Sequence, residues 1–193
     1  MKKYFFLLVF VFSLLLSCSS DETTTYYLIR HAEKDRTDKT NRNPNLNDKG
    51  IERAKKWANY FDLIDLDAIY STNYNRTMQT AQPTADSKYL KIVNYDPRKM
   101  YDSIFQENTK GKQVLIVGHS NTTPVFVNKI LGEKKYEWMK DDDNSSLFIV
   151  TVSKNKKTST IKKYYSLTYK DIHIYTTINK LRIYIMTSCR CTH

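Results

Sequence analysis

Cysteine is scarce in this chain, with three among 193 residues, at positions 18, 189 and 191. Cys189 and Cys191 lie two positions apart at the far end, so they cannot staple a core even in an oxidising compartment. Stability must come from packing. No CxxC or HxxxH pair is present to complete four ligands, which argues against a zinc site. Neither metal nor cofactor is expected. The apolar stretch from Tyr4 to Leu16 is too short to span a bilayer, and no internal repeat is present.

That stretch, preceded by Lys2 and Lys3, reads as a targeting segment over residues 1–17. Leu15-Leu16-Ser17-Cys18 resembles a bacterial lipobox, which implies a lipid on Cys18 and attachment to a membrane through it. A plain secretory signal is the alternative. Either reading exports the chain to the cell envelope. Residues 18–25 are short, polar and aperiodic, as suits a tether. The remainder is enough for one domain, expected over residues 26–165 and as a monomer.

Net charge is +11, but its distribution matters more than its sum. From Val152 onward nine Lys or Arg face the single acid Asp171, and Cys18 to Thr151 is nearly neutral. The basicity belongs to the end of the chain, and no nucleic-acid partner is expected. Residues 166–193 form a basic extension in which nothing suggests chemistry.

Tyr26 to Ile29, Ala68 to Tyr70, Leu90 to Val93 and Val114 to Val117 are compact apolar runs of the kind found in buried parallel strands. Between them, Ile51, Ala54, Trp57, Ala58 and Phe61 follow helical spacing, with Asp48 placed to cap the start. Arg76 to Ser87 is a weaker helix with Pro83 inside it, and Asn121 to Leu131 a third with Pro124 in its first turn. Leu147 to Val152 and Thr160 to Tyr165 should add a hairpin at a sheet edge. The fold class is α/β: a three-layer α/β/α sandwich with a mostly parallel central sheet and an antiparallel edge hairpin.

Ligands of such sheets bind at the carboxyl ends of the parallel strands. Arg30-His31-Ala32-Glu33-Lys34 follows the first run. Ser71-Thr72 and then Arg76-Thr77 follow the second, and Gly118-His119-Ser120-Asn121 the fourth. Two histidines and two arginines thereby converge on one rim. Arg30-His31-Ala32-Glu33 resembles the first histidine motif of the histidine phosphatase superfamily, the phosphoglycerate-mutase-like fold. Leu46-Asn47-Asp48-Lys49-Gly50 with Ala54, Ser71-Thr72 through Arg76-Thr77-Met78-Gln79-Thr80-Ala81, and Val117-Gly118-His119-Ser120 resemble three further motifs in the family's order. The likeness runs from about Tyr26 to Thr151 and is nearest the short SixA-like branch.

The resemblance implies a metal-independent phosphatase with His31 as nucleophile, forming a phosphohistidine. This agrees with the nucleophilicity of a neutral imidazole and the bidentate reach of guanidinium toward phosphate. Arg30, Arg76, His119 and Asn121 are the phosphate-binding candidates, helped by the amides of the helix starting near Asn121. His119 is also a catalytic candidate, protonated or as an N–H donor to the charge of the transition state. Glu33, Lys34 and Thr122 are candidates for substrate contact. Asp96 is placed like the family's general acid, with Glu33, Asp102 and Glu107 as open alternatives. A substrate whose leaving group is already a weak base would need none. The expected partner is a phosphorylated small molecule or phosphoprotein. A phosphoglycerate-mutase-type phosphotransferase and a non-catalytic surface lipoprotein that binds phosphorylated ligands are the competing readings.

Overall fold

The computed structural model describes residues 22–164. Six strands and four helices alternate: β1 Thr24–Arg30, α1 Asp48–Phe61, β2 Ala68–Ser71, α2 Asn75–Lys88, β3 Ile92–Asn94, α3 Ser103–Thr109, β4 Gln113–Gly118, α4 Thr122–Leu131, β5 Ser146–Val152 and β6 Lys157–Lys163. They form one sheet of order β3-β2-β4-β1-β5-β6. The first four strands are parallel; β5 runs antiparallel to β1, and β6 antiparallel to β5. The expected fold class holds, edge hairpin included.

Side chains alternate across a strand, so a continuous apolar run serves two faces at once. Tyr26 and Leu28 of β1, with Val114 and Ile116 of β4, pack beneath Phe105 of α3 and Phe126, Val127 and Ile130 of α4. Tyr27, Ile29, Leu115 and Val117 face the other way, against Trp57 and Phe61 of α1 and Ala81 and Ala85 of α2. Burying both faces takes a helix layer on each side, which is the three-layer sandwich. Trp57 and Phe61 stack at 6.0 Å between ring centroids, and Tyr164 stacks on Trp57 at 5.0 Å.

Several boundaries move. The first strand starts at Thr24, two residues before Tyr26: Thr24 is buried, and both Thr24 and Thr25 pair with β5. Asn47, not Asp48, caps α1 by accepting a hydrogen bond from the Gly50 amide at 2.9 Å. Ile51 points outward and is 45% exposed. The third strand is shifted to Ile92–Asn94 and is a partly exposed sheet edge rather than a buried strand, because only β2 pairs with it. Helix α3, seven residues capped by Asp102, had no visible periodicity in the sequence. Pro83 is accommodated within a continuous α2. Residues 1–17, Cys18 and residues 166–193 lie outside the described residues, and with them the leader, lipidation and extension readings.

Gly50 has a packing reason. A Cβ there would stand 2.1 Å from the Glu33 carbonyl oxygen, so α1 reaches the loop behind His31 only because this residue lacks a side chain. A helical Gly→Ala change ordinarily stabilises by about 1 kcal/mol. Gly50→Ala is expected to do the reverse, costing more than about 2 kcal/mol through overpacking. Gly132→Ala, at a φ of +80° with open space around it, should cost only about 1 kcal/mol. Denaturant unfolding of the two variants checks this; a Gly50→Ala protein as stable as the parent would refute the packing argument.

Candidate active site

The chain passes from β1 toward β2 and β3 on one side, then returns through β4 to β5 on the other. The two directions part between neighbouring β1 and β4, the switch point where open α/β sheets bind ligands. Register places Arg30 beside Gly118, and the His31 amide donates to the Gly118 carbonyl at 2.9 Å. On the other flank of β4, Ser71 pairs with Val117, and the Thr72 amide continues toward the Val117 carbonyl. Residues 31, 72 and 119 therefore follow three adjacent strands. The imidazoles of His31 and His119 meet edge to face at 5.5 Å.

His31 is almost wholly buried. Its Nδ1 lies 2.7 Å from the Ala32 carbonyl oxygen. A carbonyl can only accept, so Nδ1 carries the proton and Nε2 keeps its lone pair. The Ala32 amide donates to Thr80 Oγ1, and Asn144 Nδ2 donates to the His31 carbonyl at 2.8 Å, so the main chain is held on both sides of the ring. Burial, reinforced by Arg30, His119 and Arg76, pulls the His31 pKa down to about 3. The ring is therefore uncharged at neutral pH.

His119 has a similar environment, with burial first and Arg76, Arg30 and Lys34 after it lowering its pKa to about 4. Arg76 Nη2 approaches its Nδ1 at 3.4 Å, and since guanidinium only donates, Nδ1 is the acceptor. Nε2–H then donates to Thr72 Oγ1 at 3.0 Å, and Thr72 passes the hydrogen bond on to Thr77 Oγ1. The expected free N–H on His119 is thus committed to a threonine relay. Gly118 must be glycine, since a Cβ there would meet Thr123 Oγ1 at 2.8 Å.

The two arginines are held differently. Arg30, 3% exposed, donates through Nη1 to the carbonyls of Lys140 and Asp141 at 2.9 and 2.8 Å, and through Nη2 to Asp141 Oδ1 at 3.0 Å. Arg36 meets the other oxygen of that carboxylate at 2.8 Å. Arg76 lies over the Tyr74 ring at 4.5 Å. Arg30 Nε, Arg76 Nε and Arg76 Nη1 are buried without a hydrogen-bond partner. Buried unpaired guanidinium nitrogens are costly unless an anion completes them.

The remaining candidates separate. Glu33 and Lys34 line a cavity of about 910 Å³ opening from His31, with Arg36, Lys49, Asp141 and Asn144. Arg53 grips Glu33 through Nε and Nη2 at 2.7–3.0 Å. Burial works to raise that carboxyl, but these hydrogen bonds and the nearby cations bring it below its ordinary value. Asp96 lies outside this cavity and is tied bidentately to Arg98, whose hydrogen bonds lower its pKa, opposite to what a proton donor needs. Asp102 caps α3, and Glu107 is exposed on that helix.

Asn121 is also exposed, and its side chain caps α4 by accepting from the Thr122 amide at 2.9 Å. Thr122 Oγ1 accepts from the His119 amide, and the Thr123 amide returns to the His119 carbonyl. The helix amides expected to hold phosphate are therefore satisfied internally. Loop 41–45 is pinned to α2, because Asn75 exchanges hydrogen bonds with Asn43 and donates to Asn45.

Thr72, Tyr74, Asp141 and Asn144 are part of the site and were not singled out from sequence. Thr72 and Tyr74 lie within a recognised motif, and Asp141 opens an acidic run, but only the fold shows what they touch. Among the described residues, no group of three or more His, Cys, Asp or Glu is placed to hold a metal ion.

The lowered histidine pKa values carry a sign. Unfolded imidazoles take up protons near pH 6.5 and the folded ones only near 4 and 3, so stability falls as pH drops through that interval. Proton NMR of the free protein should place both midpoints below pH 5. A midpoint at 6 or above for either ring would contradict the desolvated site.

Residues 26–98 match the sequence model of the Histidine phosphatase superfamily (branch 1). No curated protein sequence matches the chain. Among solved structures, the chain is similar to a protein assigned as the phosphohistidine phosphatase SixA of Agrobacterium tumefaciens, with a TM-score of 0.53 and 20% identity over 72% of this chain and 97% of that one. A mutant phosphoserine phosphatase of Entamoeba histolytica, in complex with phosphoserine, aligns with a TM-score of 0.55 and 15% identity over 71% and 95%. A phosphoglycerate mutase of Bacillus anthracis aligns at 0.54 and 14% over 74% and 93%. These likenesses establish a shared fold across different activities. The ordered motifs and the matched segment agree: residues 26–98 are similar to the histidine phosphatase superfamily, and the chain shares the fold of these solved structures.

Proposed function

We propose that the protein is a phosphohydrolase acting through a phosphohistidine on His31. Its preferred substrates would carry a leaving group that departs without a proton from the protein, as the imidazole of a phosphohistidine protein does. The observation that carries this is the pairing of an uncharged, Nδ1-protonated His31 with buried guanidinium nitrogens that lack acceptors. Nε2 attacks phosphorus, the P–N bond forms as the bond to the leaving group breaks, and water later cleaves the phosphohistidine. Arg76 and the free Nε of Arg30 neutralise the equatorial oxygens. A bound phosphate dianion raises the proton affinity of His119, whose unprotonated nitrogen is Nδ1, the acceptor of the long 3.4 Å contact from Arg76. Once protonated there, it gains the donor it lacks in the free protein.

The acids support the leaving-group preference. Among the carboxylates lining the cavity, Glu33, Asp35 and Asp141 are held below their ordinary range, so none of these three is kept protonated to donate to an alkoxide. A phosphohistidine already protonated on its other ring nitrogen releases neutral imidazole, whose conjugate acid has a pKa of about 6.5, and so leaves without such help. The wide charged cavity beside His31 admits water, which favours hydrolysis over return of the phosphoryl group to a second hydroxyl. Export on a lipidated Cys18 belongs to the same proposal.

His31→Ala should lower turnover of p-nitrophenyl phosphate and of phosphohistidine peptides by about a thousandfold or more. Acid-quenched wild-type protein should carry a base-stable, acid-labile phosphate on residue 31. Full activity in the variant would overturn the nucleophile. Across aryl and alkyl phosphates, rates should fall steeply as the leaving group becomes more basic; a flat dependence would reveal an acid. Palmitate labelling of the exported chain should disappear in Cys18→Ser, and labelling that persists would remove the lipid anchor.

A further inference from the structure

Resting on that reading of the phosphate pocket, we propose that Tyr74 is the positioning residue for Arg76. Its ring holds the guanidinium face-on, so that the N–H donors stay available for phosphate. A buried arginine is ordinarily fixed by acceptors in its own plane, and each such bond uses a donor. Arg30 is an example, with both terminal nitrogens engaged by the loop of residues 140–143. Arg76 is free of this. Its guanidinium carbon lies 4.5 Å from the centroid of Tyr74, its hydrogen-bond contact is the 3.4 Å approach to His119, and Nε and Nη1 have no partner. The attraction of a cation for the face of an aromatic ring fixes position without consuming a donor. A carboxylate in the same place would take two N–H groups and cancel the charge meant for the substrate.

The same ring also abuts His119, edge-on at 90° and 5.1 Å, so one side chain sets the spacing of both groups. The main chain of Tyr74 keeps it there. Its carbonyl accepts from the Thr77 and Met78 amides at the start of α2 and from Thr77 Oγ1. The ring is 40% exposed, at the lip of the pocket rather than in the core, so its replacement need not unfold the protein.

The test compares the full chain with Tyr74→Phe and Tyr74→Leu, each alone and with Arg76→Ala. Inorganic phosphate binding is measured by calorimetry, KM and kcat with p-nitrophenyl phosphate, and stability by thermal melting. Tyr74→Leu should weaken phosphate binding and raise KM by roughly three- to thirtyfold, the range of a desolvated cation–ring contact. Melting should be nearly unchanged. Tyr74→Phe should restore both values, since the ring and not the hydroxyl acts. In the Arg76→Ala background the Leu substitution should have a much smaller effect, limited to the contact of the ring with His119. Unchanged phosphate affinity in Tyr74→Leu, a Phe variant as weak as Leu, or an equal loss without Arg76 would each overturn the proposal. Wild-type protein that binds phosphate without turnover would sink the phosphohydrolase reading while leaving the role of Tyr74 measurable. Wild-type protein that does not bind phosphate would end both.

Discussion

The parallel pairing of β1 with β4 is the constraint from which the site follows. It sets the carboxyl ends of two strands side by side, although the residues beyond them are far apart in sequence, and the hydrogen bond from the His31 amide to Gly118 extends that register by one step. Both helix layers serve this pairing. The large apolar side chains of α1 and α2 close one face and those of α3 and α4 the other. Without them the strand ends would be wet, and the imidazoles would regain their ordinary basicity.

Desolvation is the second shared feature. It lowers both histidines, and it makes the guanidinium charges felt by their neighbours. Two cations gathered beside two neutral rings would be an unfavourable arrangement in a resting protein. Asp141 offsets one of them, and an aromatic face accommodates the other. What remains unsatisfied is suited to an anion with several oxygens.

Much of this was legible in the sequence, because the apolar runs of β1 and β4 and the polar residues directly after them have strong local signatures. Arg30, His31, Arg76 and His119 could be placed at one rim from strand-end position alone. Short or exposed elements were not legible: α3 has too few turns to establish a period, and β3 is an edge with little to bury. The partners of the acids were equally hidden. Asp96 sits after a strand as an acid should, yet Arg98 two residues on claims its carboxylate. Asn121 and Thr122 likewise have the right chemistry at the right end of β4, but the start of α4 uses them for its own caps. Residue type announces capacity, whereas the competition for each donor and acceptor is settled by neighbours that sequence spacing does not name.

The unlike supports of the two arginines make the site unequally sensitive to ionic strength. Asp141 is 73% exposed, so its bridge between Arg30 and Arg36 is open to screening by dissolved ions. The backbone carbonyls that share Arg30 are dipoles within the fold and are screened far less, and the stacked Arg76 has no exposed counter-charge to lose. Concentrated electrolyte should therefore release the outer guanidinium first and leave the inner pair in register, adding mobile cationic reach at the mouth of the cavity while its floor stays fixed.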